Sequence, residues 1–149
     1  FNNTKREAIG EHTAYLMANL MQGVVNSGTG IRLRAKYGLK GEIAGKTGTT
    51  NDQSDGWFIG YTPSLTAGVW VGAEDRQVHF ESLSLGGGSN MALPIWGLFM
   101  KKVVEDGTLG VYETDRFVPP PGITLDLACD GSDADAAVKA EEEEDFFYE

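Results

Sequence analysis

Apolar positions recur along this chain with two different periods, and the changes of period predict its elements. Between Thr13 and Asn26, Leu16, Leu20 and Val24 repeat at i, i+4 and i+8, with Met17, Met21 and Val25 beside them. That spacing predicts a helix over 13–26 with a broad apolar face that packs against something sizeable. Thr13 is the expected N-cap, and Ser27-Gly28-Thr29-Gly30 the expected stop. Residues 31–37 are basic and suit a short helical turn. The period then drops to two. Strands are predicted over Gly41–Thr50, Trp57–Tyr61 and Leu65–Ala73, each rich in β-branched or aromatic residues. The links Asn51–Gly56 and Thr62-Pro63-Ser64 have turn chemistry and are too short for a parallel crossover, so the strands pair antiparallel.

Residues 74–88 read as a loop whose glycines, Gly86, Gly87 and Gly88, lead flexibly into a second helix over Asn90–Val104. Ser89 is its expected cap, and Pro94 stands near the first turn, where a missing N–H costs least. Apolar residues occupy most of this helix's circumference, which predicts burial on most sides. Asp106-Gly107 ends it, and Pro119-Pro120-Pro121-Gly122 marks the end of the compact region. Ile123–Ala128 could add an edge strand. Helix, three antiparallel strands and helix make an α+β fold, a sheet of at least three consecutive strands covered by helices. Two segments result: a compact 1–122 and an extension, 123–149.

The 149 residues suffice for one domain with a core of its own. The net charge of −10 is concentrated. From Asp130 to Glu149 there are nine acids and one base, Lys139, which supplies −8 and leaves −2 for the rest. The body therefore offers no electrostatic footprint for nucleic acid. The acidic run reads as a solvated tail, with an interaction tail as the sharper alternative. No apolar run is long enough to cross a bilayer. Cys129 is the lone cysteine, so an internal disulfide is excluded, and the neighbouring acids disfavour its thiolate. His12 and His79 lack metal-site spacing, and no cofactor is called for.

Lys46-Thr47-Gly48-Thr49-Thr50 carries the chemistry. Gly45-Lys46-Thr47 invites comparison with a phosphate loop, but the glycine that loop requires would stand at Lys40, and Gly41 comes one residue late. The segment also runs into a turn instead of opening a helix, as phosphate binding needs. Nucleotide binding is excluded on both counts. On a strand at the rim of a cleft, Lys46 would attract a substrate carboxylate. Thr47 and Thr49 would share one face. Gly48 would let substrate approach the backbone, and the Thr49 N–H could serve as an oxyanion donor. Lys46, Thr47 and Thr49 are expected to line one side of a groove.

Lys46-Thr47-Gly48-Thr49-Thr50-Asn51-Asp52, followed by Asp55-Gly56-Trp57-Phe58-Ile59-Gly60-Tyr61-Thr62-Pro63, resembles the Lys-Thr-Gly block of bifunctional penicillin-binding proteins of the 1A type. Val69-Trp70-Val71-Gly72, the run from Gly86 to Trp96, and Tyr15–Gly30 fit neighbouring blocks of that family in the same order. The resemblance covers residues 13–122 and implies part of a penicillin-binding/serine β-lactamase-like fold. It implies acyl transfer: a serine attacks the D-Ala-D-Ala bond of a peptidoglycan stem peptide, an amine accepts the acyl group, and β-lactams trap the serine. Lys46 would hold the carboxylate or shuttle protons, Thr47, Gly48 and Thr49 would bind beside it, and the Thr49 amide would form half of the oxyanion hole. The implied partners are the stem peptide, β-lactams and upstream transpeptidase and glycosyltransferase segments. The implied location is the periplasmic face of the inner membrane, with a membrane anchor upstream.

The family also needs Ser-x-x-Lys and Ser-x-Asn. None of Ser27, Ser54, Ser64, Ser82, Ser84, Ser89 and Ser132 has lysine three positions on or asparagine two positions on. In the family both motifs precede Lys-Thr-Gly, and this chain begins at Phe1. The expectation is thus a catalytically incomplete piece of a longer protein, inactive alone. A non-enzymatic peptide-binding module and a serine β-lactamase relative are the alternatives. Asp52 and Asp55 read as turn residues rather than an acid–base pair, and Trp57, Trp70 and Trp96 as core.

Overall fold

The computed structural model describes residues 7–123. Its elements are α1 (Glu11–Asn26), α2 (Arg32–Ala35), β1 (Ala44–Thr49), β2 (Asp55–Tyr61), β3 (Thr66–Gly72), α3 (Leu83–Gly86) and α4 (Ala92–Glu105), with a 3₁₀ turn over Asn51–Gln53. The strands form one antiparallel sheet in the order β1-β2-β3. The expected α+β pattern of helices on a three-stranded sheet is present. Cys129, the acidic run and the candidate edge strand beyond Ile123 lie outside the described residues.

The core follows from strand alternation. On β2, Gly56, Phe58 and Gly60 are buried, while Trp57 and Ile59 between them are exposed. α4 lies over the buried face. Its Trp96 ring meets Phe58 edge-on at 5.2 Å, and its indole N–H donates to Ala67 O at 3.0 Å. Gly60 makes room for it: a Cβ there would stand 2.7 Å from the indole. Leu33 of α2 and Val25 of α1 complete the cluster with Leu39, Ile43, Leu93, Met100 and Val103. β3 contributes Ala67, Val69 and Val71 to the same face.

Several local expectations are corrected. Helix α1 starts at Glu11 after Gly10, so Thr13 lies within its first turn and caps nothing. Ser89 is not a cap either: α4 starts at Ala92 after Met91, and no side chain caps it. The loop before α4 contains a short helix, α3, and its three glycines are buried, Gly88 against Gly48 and Trp57 of the sheet. α4 is not buried on most sides. Ala92, Leu93, Trp96, Met100 and Val103 are covered, whereas Ile95, Leu98 and Phe99 are about half exposed. On α1 the buried residues are Ala18 and Val25, while Met17 and Leu20 face outward. Of the three tryptophans only Trp96 is core; Trp57 and Trp70 remain 44% and 47% exposed on the far face of the sheet. For the misjudged faces the physical reason is shared. Periodicity marks a face as apolar, but only the neighbouring elements determine whether that face is covered.

Candidate active site

Among the described residues, β1 pairs with β2 along one side and with no strand along the other, so the Lys-Thr-Gly segment forms a sheet edge. The register sorts its side chains. Thr47 lies opposite Phe58 and Thr49 opposite Gly56, on the core face. Lys46 lies opposite Ile59 and Gly48 opposite Trp57, on the other face. The two threonines therefore share a face, and Lys46 leaves the strand from the opposite one. Its ammonium bends back to donate to Thr47 O at 2.9 Å.

The hairpin that follows β1 fixes the direction of its amides. Thr50 N–H donates to Asp55 O at 3.1 Å, so it faces β2. Successive residues of a strand turn their N–H and C=O to opposite sides. The Thr47 and Thr49 backbone groups consequently turn away from β2, and Lys46 meets Thr47 O at the open edge. The hairpin loop is tied internally: Thr50 Oγ1 accepts Asp55 N–H at 3.1 Å and lies 3.0 Å from Ser54 Oγ. Two consecutive non-glycine residues in this loop, Asp52 and Gln53, adopt φ of 58° and 52°. Such a pair is uncommon outside tightly held turns. Asp55 opens β2, and its Oδ1 is buried with no hydrogen-bond partner among the described residues.

Both threonine hydroxyls have protein partners. Thr47 Oγ1 lies 3.0 Å from Thr29 Oγ1, in the glycine-flanked turn after α1. Thr49 Oγ1 accepts Gly88 N–H at 3.0 Å. Arg32 of α2 reaches the same region and donates to Ser89 O and Asn90 Oδ1. The sequence did not reveal Thr29 and Gly88 as partners of the Lys46 strand, nor the Arg32–Asn90 contact beside Gly88. The one signal was the presence of two glycine-rich turns, Gly28–Gly30 and Gly86–Gly88, read there as element boundaries within blocks of the family resemblance. At Gly48 an added Cβ would touch only Trp57 Cβ, at 3.3 Å, so the protein leaves most of the space over this glycine free.

The remaining polar residues lie apart. His12 Nε2 pairs with Pro121 O at 3.1 Å, and His79 Nδ1 with Phe80 O at 3.2 Å. A recess of about 520 Å³ is lined by Tyr15, Ala18, Tyr61, Phe117 and three prolines. It includes none of Lys46–Thr49. This recess and the candidate chemistry thus fall in different places, and the chemistry follows the strand edge.

Comparison with known proteins gives the class, a transpeptidase-type domain. The chain belongs to the family described as penicillin binding protein transpeptidase domain, whose model matches residues 2–83. Its relatives carry the name penicillin-binding protein 1A. The protein of Neisseria meningitidis serogroup A is 35% identical over 134 residues, which cover 80% of this chain and 16% of that protein. The Pseudomonas aeruginosa protein is 38% identical over 118 residues, covering 77% of this chain and 13% of the relative. The chain thus spans only a small part of the length of the curated relatives it matches. A crystal structure of penicillin-binding protein 1A from Haemophilus influenzae superposes with a TM-score of 0.61 at 25% identity, over 75% of this chain and 17% of that one. No described helix is long and apolar enough to cross a membrane.

Proposed function

We propose that this chain is part of a peptidoglycan D,D-transpeptidase that cross-links stem peptides and is acylated by β-lactams. Its contribution is the substrate strand. The observation that carries the reading is the open edge of β1, with the Lys46 ammonium and the outward-turned Thr49 amide beside an unfilled space over Gly48. An anionic substrate laid along this edge would have its carboxylate near the Lys46 charge. Its scissile carbonyl would take the Thr49 N–H as one oxyanion donor, and such a donor contributes about 10²–10³ in rate. Thr47 and Thr49 hydroxyls bind alongside, since each hydroxyl retains hydrogen-bonding capacity beyond the single protein contact described.

In this reading the attacking serine, its lysine base and the Ser-x-Asn come from sequence outside residues 1–149. None of the serines here has the required spacing. The chain alone is inactive, and its partners are the rest of the transpeptidase domain, a glycosyltransferase segment and the stem peptide. The site works on the extracytoplasmic side of the inner membrane, where a segment elsewhere in the protein anchors it. No nucleic acid is involved.

Fluorescent penicillin tests the proposal. The longer protein carrying this chain takes up boil-resistant label, Lys46→Ala in it loses most of that label, and the chain alone takes none. Label on the chain alone would contradict the incomplete-site reading, and no label on the longer protein would end the transpeptidase reading.

A further inference from the structure

We infer that the loop from Phe80 to Asn90 is a positioning brace for the β1 edge, with Gly88 and Thr49 as its joint. The role assigned to that edge rests on the function proposed above, whereas the brace itself rests on geometry. Gly88 N–H donates to Thr49 Oγ1 at 3.0 Å, linking the loop to the strand that carries Lys46. The Gly88 backbone lies flat on the β1–β2 hairpin: a Cβ there would collide with Gly48 O and come within 2.6 Å of Trp57 O. Gly86 sits as closely over the hairpin loop, where a Cβ would stand 2.6 Å from Gln53 Cβ and 2.8 Å from Phe80 Cβ. Phe80 N–H donates to Gln53 O at 3.4 Å, at one of the two left-handed residues of that loop. The far end of the brace is held by Arg32, which donates to Ser89 O and Asn90 Oδ1.

These contacts converge on one small region from three elements. The left-handed pair Asp52-Gln53 persists because surrounding structure holds it, and the brace supplies that structure. The Gly88 donor also orients a rotor. A threonine hydroxyl that accepts one backbone N–H keeps its own proton free to donate, which suits a carboxylate at the edge. Only a glycine fits this close to β1, so the joint at Gly88 has no room for a side chain. Gly88 touches no substrate in this arrangement; it is a positioning residue acting through Thr49 and Gly48.

The experiment uses the longer protein that carries this chain. It compares Gly88→Ala, Thr49→Val and, as a core control away from the edge, Val103→Ala. β-Lactam acylation is separated into non-covalent affinity and the acylation rate constant, and hydrogen exchange is followed at the amides of residues 46–50. Gly88→Ala and Thr49→Val are expected to slow the acylation step by about tenfold or more, on the scale of a displaced oxyanion donor. Exchange over 46–50 speeds up in both. Val103→Ala loses stability without moving the acylation step. Acylation and exchange in Gly88→Ala equal to those of the unsubstituted protein would overturn the brace. An unsubstituted protein that is not acylated would sink the proposed function instead, and the exchange comparison would still decide the brace.

Discussion

Gly60 and Gly68 receive the same methyl group with opposite expected results, because neighbouring strands turn these two glycines to opposite faces of the sheet. A Cβ at Gly60 would lie 2.7 Å and 2.9 Å from two indole carbons of Trp96 and 2.8 Å from Phe58 Cε1. Neither ring has room to retreat. Both are fully buried, they meet edge to face at 5.2 Å, and the indole is pinned by its bond to Ala67 O. Overpacking of this kind costs typically about 1–3 kcal/mol. Removing a glycine from the unfolded chain offsets about 0.4–1 kcal/mol of that. Gly60→Ala is therefore expected to lose roughly 1–2 kcal/mol net, with the upper end reached if the Ala67 bond breaks. At Gly68 the nearest atom is Ile59 Cγ1 at 3.5 Å, an ordinary contact. Gly68→Ala is expected to lie between neutral and about 1 kcal/mol stabilising. Urea unfolding of both variants in the same background, followed by tryptophan fluorescence and near-UV circular dichroism, measures the difference. Equal stabilities for the two variants would mean that α4 does not cover the Gly60 face, and the core described above would be wrong.

Three further outcomes are expected. Gly41 has φ of +75°, and a Cβ there would stand 2.5 Å from Glu113 O, so Gly41→Ala costs about 1–3 kcal/mol or more in denaturant unfolding. Trp96→Phe removes the indole donor to Ala67 O and costs about 0.5–1.5 kcal/mol beyond the lost ring volume, with the calorimetric midpoint falling accordingly. The hydrogen bond from Ser64, then that from the Tyr112 amide, hold the Asp115 carboxyl below its ordinary value of 3.8. A depressed folded pKa contributes stability that is complete above the unfolded value and is lost as pH falls through the folded one. Ser64→Ala should thus narrow the stability difference between pH 6 and pH 3 in acid titration, and an unchanged slope would refute the assignment.

The elements themselves were legible because each carries its own period. Leu16 through Val25 repeat as a helix must, and β2 alternates from Gly56 to Tyr61 as a half-covered strand must. Turn chemistry at Asn51–Gly56 and Thr62–Ser64 set the antiparallel order. The cap assignments failed at Thr13 and Ser89, since a capping residue type is compatible with several positions and local backbone geometry chooses among them. The Lys46-Thr47-Gly48-Thr49 segment stood out as chemistry from residue types alone. Its setting did not: Thr29, Gly88 and Arg32 lie 18, 39 and 58 positions from their partners Thr47, Thr49 and Asn90. No local pattern encodes such pairings.

Periodicity, turn residues and the charge-dense end are properties of neighbours along the chain, and the order of residues suffices to establish them. Which apolar face is covered is a different kind of fact. Trp96 and Trp70 are the same residue in equally regular elements, yet one is sealed and the other is half in solvent. Strand register and helix placement made that distinction. They also sent Lys46 from one side of the sheet and Thr49 from the other, to meet at a single edge. Such outcomes depend on distances between remote segments, which become defined only when the chain packs.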